Sequence, residues 1–374
     1  MRTIYLDYNA TTPVDPAVAD AVGHALRELW GNPSSAHEYG KAAHAAVERA
    51  RGQVASLIGA EPDEIVFTGG GSEASNHAIK GTILRHPPDR SHVITTAVEH
   101  PATLKPAEFL RRLGCEVTIL PVDRHGLIDP DDVRRAITPR TTLVSVMHSN
   151  NEVGTLMPVK EIAAVCRERG VLVHTDCAQS LGKVPVSVRE LGVDLLTVAG
   201  HKLYAPKGVG ALVVRRGVAL EPLIHGAGHE GGRRAGTENV PYIVGLGVAA
   251  EVAAKSLPAA TERLRQLRDR LHQRLAAAFG DRLTLNGHPE RRLPNTLNVN
   301  FAGHIGAELL GKVPGVAAST GSACHEGKVS LSPVLAAMGV VPEVGRGAVR
   351  LSVGRFTTEA EIDAAADLLV RTVG

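Results

Sequence analysis

The chain has 374 residues, 44% of them hydrophobic and 21% charged, with a formal net charge of +2. This is enough for two or three domains of ~150 residues and a sizeable core, and too balanced in charge for a binder of nucleic acid or membrane surfaces. No uncharged apolar run reaches the ~18 residues of a membrane-spanning helix, the N-terminus lacks an apolar signal core, and Cys115, Cys166, Cys177 and Cys324 form no CxxC pair. A cytoplasmic protein without a disulfide framework or zinc site is therefore expected.

The chain opens on a short strand and a polar turn stiffened by Pro13 and Pro16, then a helix over 16–30 with Val18, Val22, Ala25, Leu26 and Leu29 at helical spacing. Gly31-Asn-Pro-Ser-Ser breaks it before a second helix over 37–58. A strand over 64–68 runs into Gly69-Gly-Gly-Ser and a helix reaching 84. Two readings of that turn are open: an anion cradle of backbone N–H groups at a helix start, or a glycine-rich turn with Ser72 as an ordinary N-cap. The Gly-Lys-Ser/Thr ending of a Walker loop is absent. Strands then follow over 92–97, 115–121, 142–148, 171–175, 193–198 and 208–215, mostly alternating with helices, which predicts an α/β fold with a largely parallel sheet and helices on both faces. Residues 226–231 match GxGxxG but lead into a polar loop, so they are no dinucleotide site. Helices are expected over 241–255 and 262–279, then short strands near 283–287 and 296–300, a helix over 331–338, a strand over 348–353 and a last helix over 358–372. This describes a large domain over 16–258 and a smaller α+β domain built from 1–15 and 259–374.

His100, Asn151, Asp176 and Lys202 all fall just past predicted strand C-termini, where open α/β sheets bind ligands. An acid able to hold a pyridinium proton and a lysine able to form a Schiff base are the two protein groups that pyridoxal phosphate requires.

The motifs together resemble the cysteine desulfurases of iron–sulfur cluster assembly and the related selenocysteine lyases, class-V aminotransferase enzymes of fold-type I. The resemblance rests on Tyr5-Leu-Asp-Tyr-Asn-Ala-Thr-Thr-Pro, Gly31-Asn-Pro-Ser-Ser, Thr68-Gly-Gly-Gly-Ser-Glu, Glu99-His, Asn150-Asn-Glu, Asp176-x-x-Gln, Gly200-His-Lys, Gly236-Thr, Gly321-Ser-Ala-Cys and Arg350-Leu-Ser-Val-Gly-Arg, and spans almost the whole chain. It implies a seven-stranded, mostly parallel sheet in the large domain. It also implies that Lys202 carries pyridoxal 5′-phosphate, that Asp176 pairs with the ring nitrogen, that Gln179 bonds the ring's phenolic oxygen and that His100 stacks on the ring. Asn151 would hold the ring oxygen or the substrate carboxylate. Gly71, Ser72 and His201 would bind the phosphate, joined by Thr237 from the other subunit of a homodimer. Arg350 would clamp the substrate carboxylate.

Cys324 lies in a stretch of small and polar residues, about 318–330, that is expected to be a mobile loop, with His325 and Lys328 close enough in sequence to favour the thiolate. The implied reaction converts L-cysteine to L-alanine and leaves a persulfide on Cys324 for an acceptor protein. The alternative is a selenocysteine lyase, which the Cys-His-Glu-Gly-Lys run and the Gly-Thr-Glu-Asn loop resemble. Three features depart from the family pattern: Ala199 stands where many relatives have Ser, Tyr204-Ala-Pro-Lys replaces Tyr-Gly-Pro-Lys, and Cys177 follows Asp176. The sequence stops at about the last family helix, without the C-terminal tail by which housekeeping members dock a cluster scaffold, and the acceptor is left open.

Overall fold

The computed structural model describes residues 3–87, 89, 91–320 and 331–373. After the short strand β1 (Ile4–Tyr5), Asp15 Oδ1 accepts from the Ala17 N–H at 3.0 Å and caps α1 (Pro16–Glu28), whose first residue is a proline with no N–H to satisfy. The helix α2 (Glu38–Ile58) ends on Gly59, a left-handed cap at φ 64°.

An alternating series follows: β2 (Ile65–Thr68), α3 (Gly71–Arg85), β3 (His92–Thr96), α4 (Pro101–Arg112), β4 (Glu116–Leu120), α5 (Pro130–Ala136), β5 (Thr141–Ser145), α6 (Val159–Glu168), β6 (Leu172–Asp176), α7 (Val188–Leu191), β7 (Leu195–Ala199) and β8 (Gly210–Val214). Their strands form one seven-stranded sheet in the order β2-β8-β7-β6-β5-β3-β4. From β7 across to β4 every pairing is parallel, and β8 runs antiparallel to both of its neighbours. The strands other than β4 are buried along nearly their whole length, because helices cover both faces. Alternate side chains serve the two faces. Ile65 and Phe67 join the core under α1 and α2, while Val66 packs with Ala78, Ile79 and Ile83 of α3 on the other side.

The helices expected over 241–255 and 262–279 are one helix, α8 (Val240–Phe279), which runs straight through Pro258. Its first half buries Ile243, Leu246, Ala249 and Ala253 in the core with α1 and α2, and its second half buries Leu264, Leu267, Leu271, Leu275 and Phe279 in a separate core. Burial in two cores holds the helix together where propensity alone predicts a break. By length and composition α8 is also apolar enough to cross a membrane, the one such helix among the described residues, but its apolar face is taken up by these two cores.

The second core contains Ile4, Leu6, the antiparallel sheet of β9 (Leu283–Leu285), β10 (Thr296–Phe301) and, after α9 (Gly306–Gly311), β11 (Val316–Ala317), α10 (Pro333–Ala337) and α11 (Pro342–Gly345), the strand β12 (Ala348–Ser352) and the helix α12 (Glu359–Val373). β1 pairs in parallel with β11, so the N-terminal segment is anchored there. It then crosses to the large sheet: Thr12 and Asp15 donate their backbone N–H groups to the His201 and Tyr204 carbonyls, both at 3.0 Å. This crossing brings residues 7–12 over the C-terminal ends of the parallel strands.

Candidate active site

The C-terminal ends of β3, β5, β6 and β7 open into a cavity of about 750 Å³. Asp176 is the last residue of β6, Lys202 follows β7 by three residues, His100 caps α4 after β3, and Asn151 lies on the turn after β5. All four line the cavity, together with Gly71, Ser72, Gln179, His201 and Arg350. Arg350 comes from β12 in the second core, so the cavity lies between the two cores.

Ser72 is not an N-cap. The cap residue of α3 is Gly70, at φ 146°, with no side-chain cap bond, and Ser72 sits one residue inside the helix. A glycine fits here because no side chain is needed to turn the chain, and the open first turn faces the cavity. Gly71 has no room for more: a Cβ there would lie 2.9 Å from Ala199 Cβ.

The Lys202 amine donates to the carbonyl oxygens of Asn9 (2.6 Å) and Ala10 (2.5 Å). The Asn9 carbonyl also accepts from Gln179 Nε2 at 2.9 Å, and Gln179 Oε1 accepts from Lys183 Nζ at 2.9 Å. Arg350 donates through Nη1 to the Asn151 carbonyl at 3.0 Å and through Nη2 to Asp7 Oδ1 at 2.9 Å. Its Nε is buried without a partner among the described residues. Asp176 Oδ1 accepts from the Ala178 N–H at 2.8 Å, and its other oxygen has no hydrogen bond among the described residues.

Burial dominates the electrostatics. It pushes the Asp176 carboxyl up against the opposing pull of the Ala178 N–H and the nearby His100 and Lys202. Burial, aided by the Arg350 charge, brings Lys202 down to about 8, and Asp7 and Asp176 only partly offset this. Desolvation lowers His100, whose Nδ1 accepts from the Ala102 N–H at 3.1 Å, so the neutral ring carries its proton on Nε2. His201 falls to about 4. The site thus holds neutral imidazoles, an amine close to neutrality and a shielded acid, a set suited to moving protons near pH 7.

Thr237 does not line this cavity. It lies on an exposed turn bordering a second, smaller cavity of about 170 Å³, which shares Gly69, Gly208 and Val209 with the first. Cys324 falls outside the described residues. Cys115, Cys166 and Cys177 are buried and unpaired, and Cys177 packs in the main core beneath the site. Asn9, Thr11, Met147, Ser149 and Lys207 also line the cavity and are not among the residues read from the sequence. A signal for Asn9 existed, since it lies inside the Tyr5–Pro13 motif. Met147 and Ser149 carry no chemistry that spacing alone would single out.

The aminotransferase class-V family matches residues 4–365. A cysteine desulfurase IscS of Dictyoglomus turgidum is 45% identical over 374 residues, which cover 100% of this chain and 95% of that protein. Among solved structures, a NifS-like protein superposes with a TM-score of 0.92 at 36% identity, covering 99% of this chain and 98% of that one. SspA, solved in complex with cysteine, superposes at 0.84 with 36% identity, covering 95% of this chain and 100% of that one.

Proposed function

This chain belongs to the aminotransferase class-V family, and from that premise we propose that it is a cysteine desulfurase which uses pyridoxal phosphate to convert L-cysteine to L-alanine and passes the sulfur through Cys324 to an acceptor protein. The observation that carries this reading is the meeting of Lys202 and Asp176 in one cavity at the ends of adjacent parallel strands. The residues fit the cofactor in three ways. Asp176 has an oxygen without a hydrogen bond among the described residues, as a partner for a ring nitrogen. The first turn of α3 offers backbone N–H groups to a phosphate. Arg350 Nε is a buried donor lacking an acceptor among the described residues, which a substrate carboxylate would supply.

When bound, pyridoxal phosphate supplies an electron sink that weakens the bonds to the substrate's Cα and makes its C–S bond breakable. The chain's own groups do the rest. Gly71, Ser72 and His201 would hold the phosphate end, and the Asp176 carboxylate would accept a hydrogen bond from a protonated ring nitrogen. His100 would stack on the ring, and Gln179 would donate to the ring oxygen. Arg350 and Asn151 would orient the substrate. Lys202, its amine brought down to about 8 by burial, would take the proton from Cα. The Cys324 thiolate then attacks the substrate sulfur: the S–S bond forms as C–S breaks, the electron pair stays on carbon, and carbon takes up a proton to give alanine.

In this reading the protein is a homodimer in which Thr237, exposed and outside its own chain's cavity, completes the phosphate site of the second subunit. Three buried unpaired thiols suit a reducing, cytoplasmic setting. The test is alanine release from L-cysteine and L-selenocysteine by the wild type and Cys324→Ala. Cysteine turnover that collapses in the variant supports the reading. Cysteine turnover that persists in it, or turnover of selenocysteine alone, overturns it.

A further inference from the structure

Lys183 is not a residue the proposed chemistry uses, yet it is a buried amine, 5% exposed, one residue-to-residue step behind the cavity. It has a single side-chain partner, Gln179 Oε1 at 2.9 Å. It also borders a third cavity, of about 280 Å³, behind Lys202, lined otherwise mainly by apolar groups such as Leu181, Leu203 and Leu264. A lysine in such a place is costly unless its charge or its hydrogen bond has a use.

The use follows from donor and acceptor chemistry. An amide side chain has an oxygen end and an NH₂ end of nearly equal shape, and only its neighbours decide which way it points. A lysine amine in this position donates and does not accept when charged, so Gln179 must turn its oxygen toward Lys183. The NH₂ end then faces the cavity side. One N–H goes to the Asn9 carbonyl at 2.9 Å, the same oxygen that Lys202 Nζ contacts at 2.6 Å. The second N–H has no partner among the described residues, and Gln179 lines the cavity.

Resting on the cofactor reading above, we propose that Lys183 is a positioning residue: it fixes the Gln179 amide with its NH₂ end toward the cavity, so that Gln179 always meets the ring oxygen of the bound cofactor as a donor. Without it only the acceptor carbonyl of Asn9 holds the NH₂ end in place, and an amide that turned over would present its own oxygen, which would repel the ring oxygen. Burial first, then the charges of Lys202 and Arg350, bring the Lys183 amine down to about 7, and Arg263 and Arg355 border the same rear cavity. The neutral amine can accept as well as donate, so the charged form fixes the amide more firmly.

The experiment is a pH titration of the visible absorbance of the holoenzyme, with cofactor retention after desalting as a second readout. Losing a donor to the ring oxygen makes that oxygen more basic and raises the absorbance midpoint. Lys183→Met should raise it by about one pH unit, the size of one lost charge-assisted hydrogen bond. Gln179→Met should raise it as well, and the double variant should go no higher than Gln179→Met alone, because Lys183 acts through Gln179. A wild-type midpoint in Lys183→Met, or additive shifts in the double variant, overturns the proposal. If Lys183→Met does not fold, Lys183→Arg and Lys183→Gln carry the comparison: arginine should keep the wild-type midpoint and glutamine should raise it, and equal midpoints overturn the proposal. A wild type that takes up no pyridoxal phosphate would instead overturn the cofactor reading on which it rests.

Discussion

Arg350 Nη2 lies 2.9 Å from Asp7 Oδ1, so the guanidinium expected to receive the substrate carboxylate is already held by a carboxylate of its own chain. The pair is mostly buried, with side chains 8% and 17% exposed. Asp7 therefore keeps Arg350 in place and also competes for it. Asp7→Asn should lower KM for cysteine, because one repelling and competing charge is gone from beside Arg350. It should also destabilise the fold by about 2 kcal/mol, the ~3–5 kcal/mol of a broken buried pair discounted for partial exposure. Steady-state kinetics and urea unfolding check both parts, and a raised KM would show that Asp7 serves only to orient Arg350.

Lys202, brought down to about 8, should make cofactor uptake level off early. The neutral amine is the reacting form, so the uptake rate of the apo-protein should climb to about pH 8 and flatten there, while an ordinary lysine would keep gaining toward ~10.4. Stopped-flow absorbance measures this, with a free lysine analogue as the control for the cofactor's own ionisations. Arg350→Met removes a cation that lowers Lys202 and should move the midpoint upward. The same shift has a stability sign. Between pH 8 and the unfolded value the unfolded chain holds the proton that the folded chain has released, so apo-protein stability should rise with pH across that window.

Gly71 and Ala199 meet at the cradle. A Cβ on Gly71 would stand 2.9 Å from Ala199 Cβ, closer than carbon atoms pack, so Gly71→Ala should push the first turn of α3 off the end of β7. We expect a loss of about 1–3 kcal/mol from overpacking and cofactor release at least about tenfold faster. Adding Ala199→Gly should restore much of both, which a general unfolding effect would not allow. Ala199→Ser alone, by supplying a hydroxyl at the same rim, should slow cofactor release about threefold to tenfold. Dialysis half-lives and thermal melts measure these effects.

The sheet and most of the cavity were legible in the sequence for a physical reason. Parallel strands buried on both faces read as short apolar runs, and the polar residues that end them, His100, Asn151, Asp176 and Lys202, fall at one edge of the sheet. What was not legible depends on the path of the chain in space. Asn9 reaches Lys202 only because residues 7–12 cross from the second core to the sheet, a contact separated by 193 positions. Lys183 belongs to none of the motifs, and only the fold shows that it is buried.

Pro258 is where local chemistry and the fold disagree most directly. A proline has no N–H to offer the Ala254 carbonyl one turn back, and it costs about 3 kcal/mol relative to alanine inside a helix. The helix α8 continues nonetheless, because its two halves are buried in different cores and Thr261 Oγ1 ties the next turn to the Leu257 and Lys183 carbonyls at 2.9 and 2.8 Å. Pro258→Ala should therefore raise stability by about 1–3 kcal/mol. Calorimetry reads the effect. A less stable variant would mean that the proline is part of how the two cores are joined and not a breaker that they override.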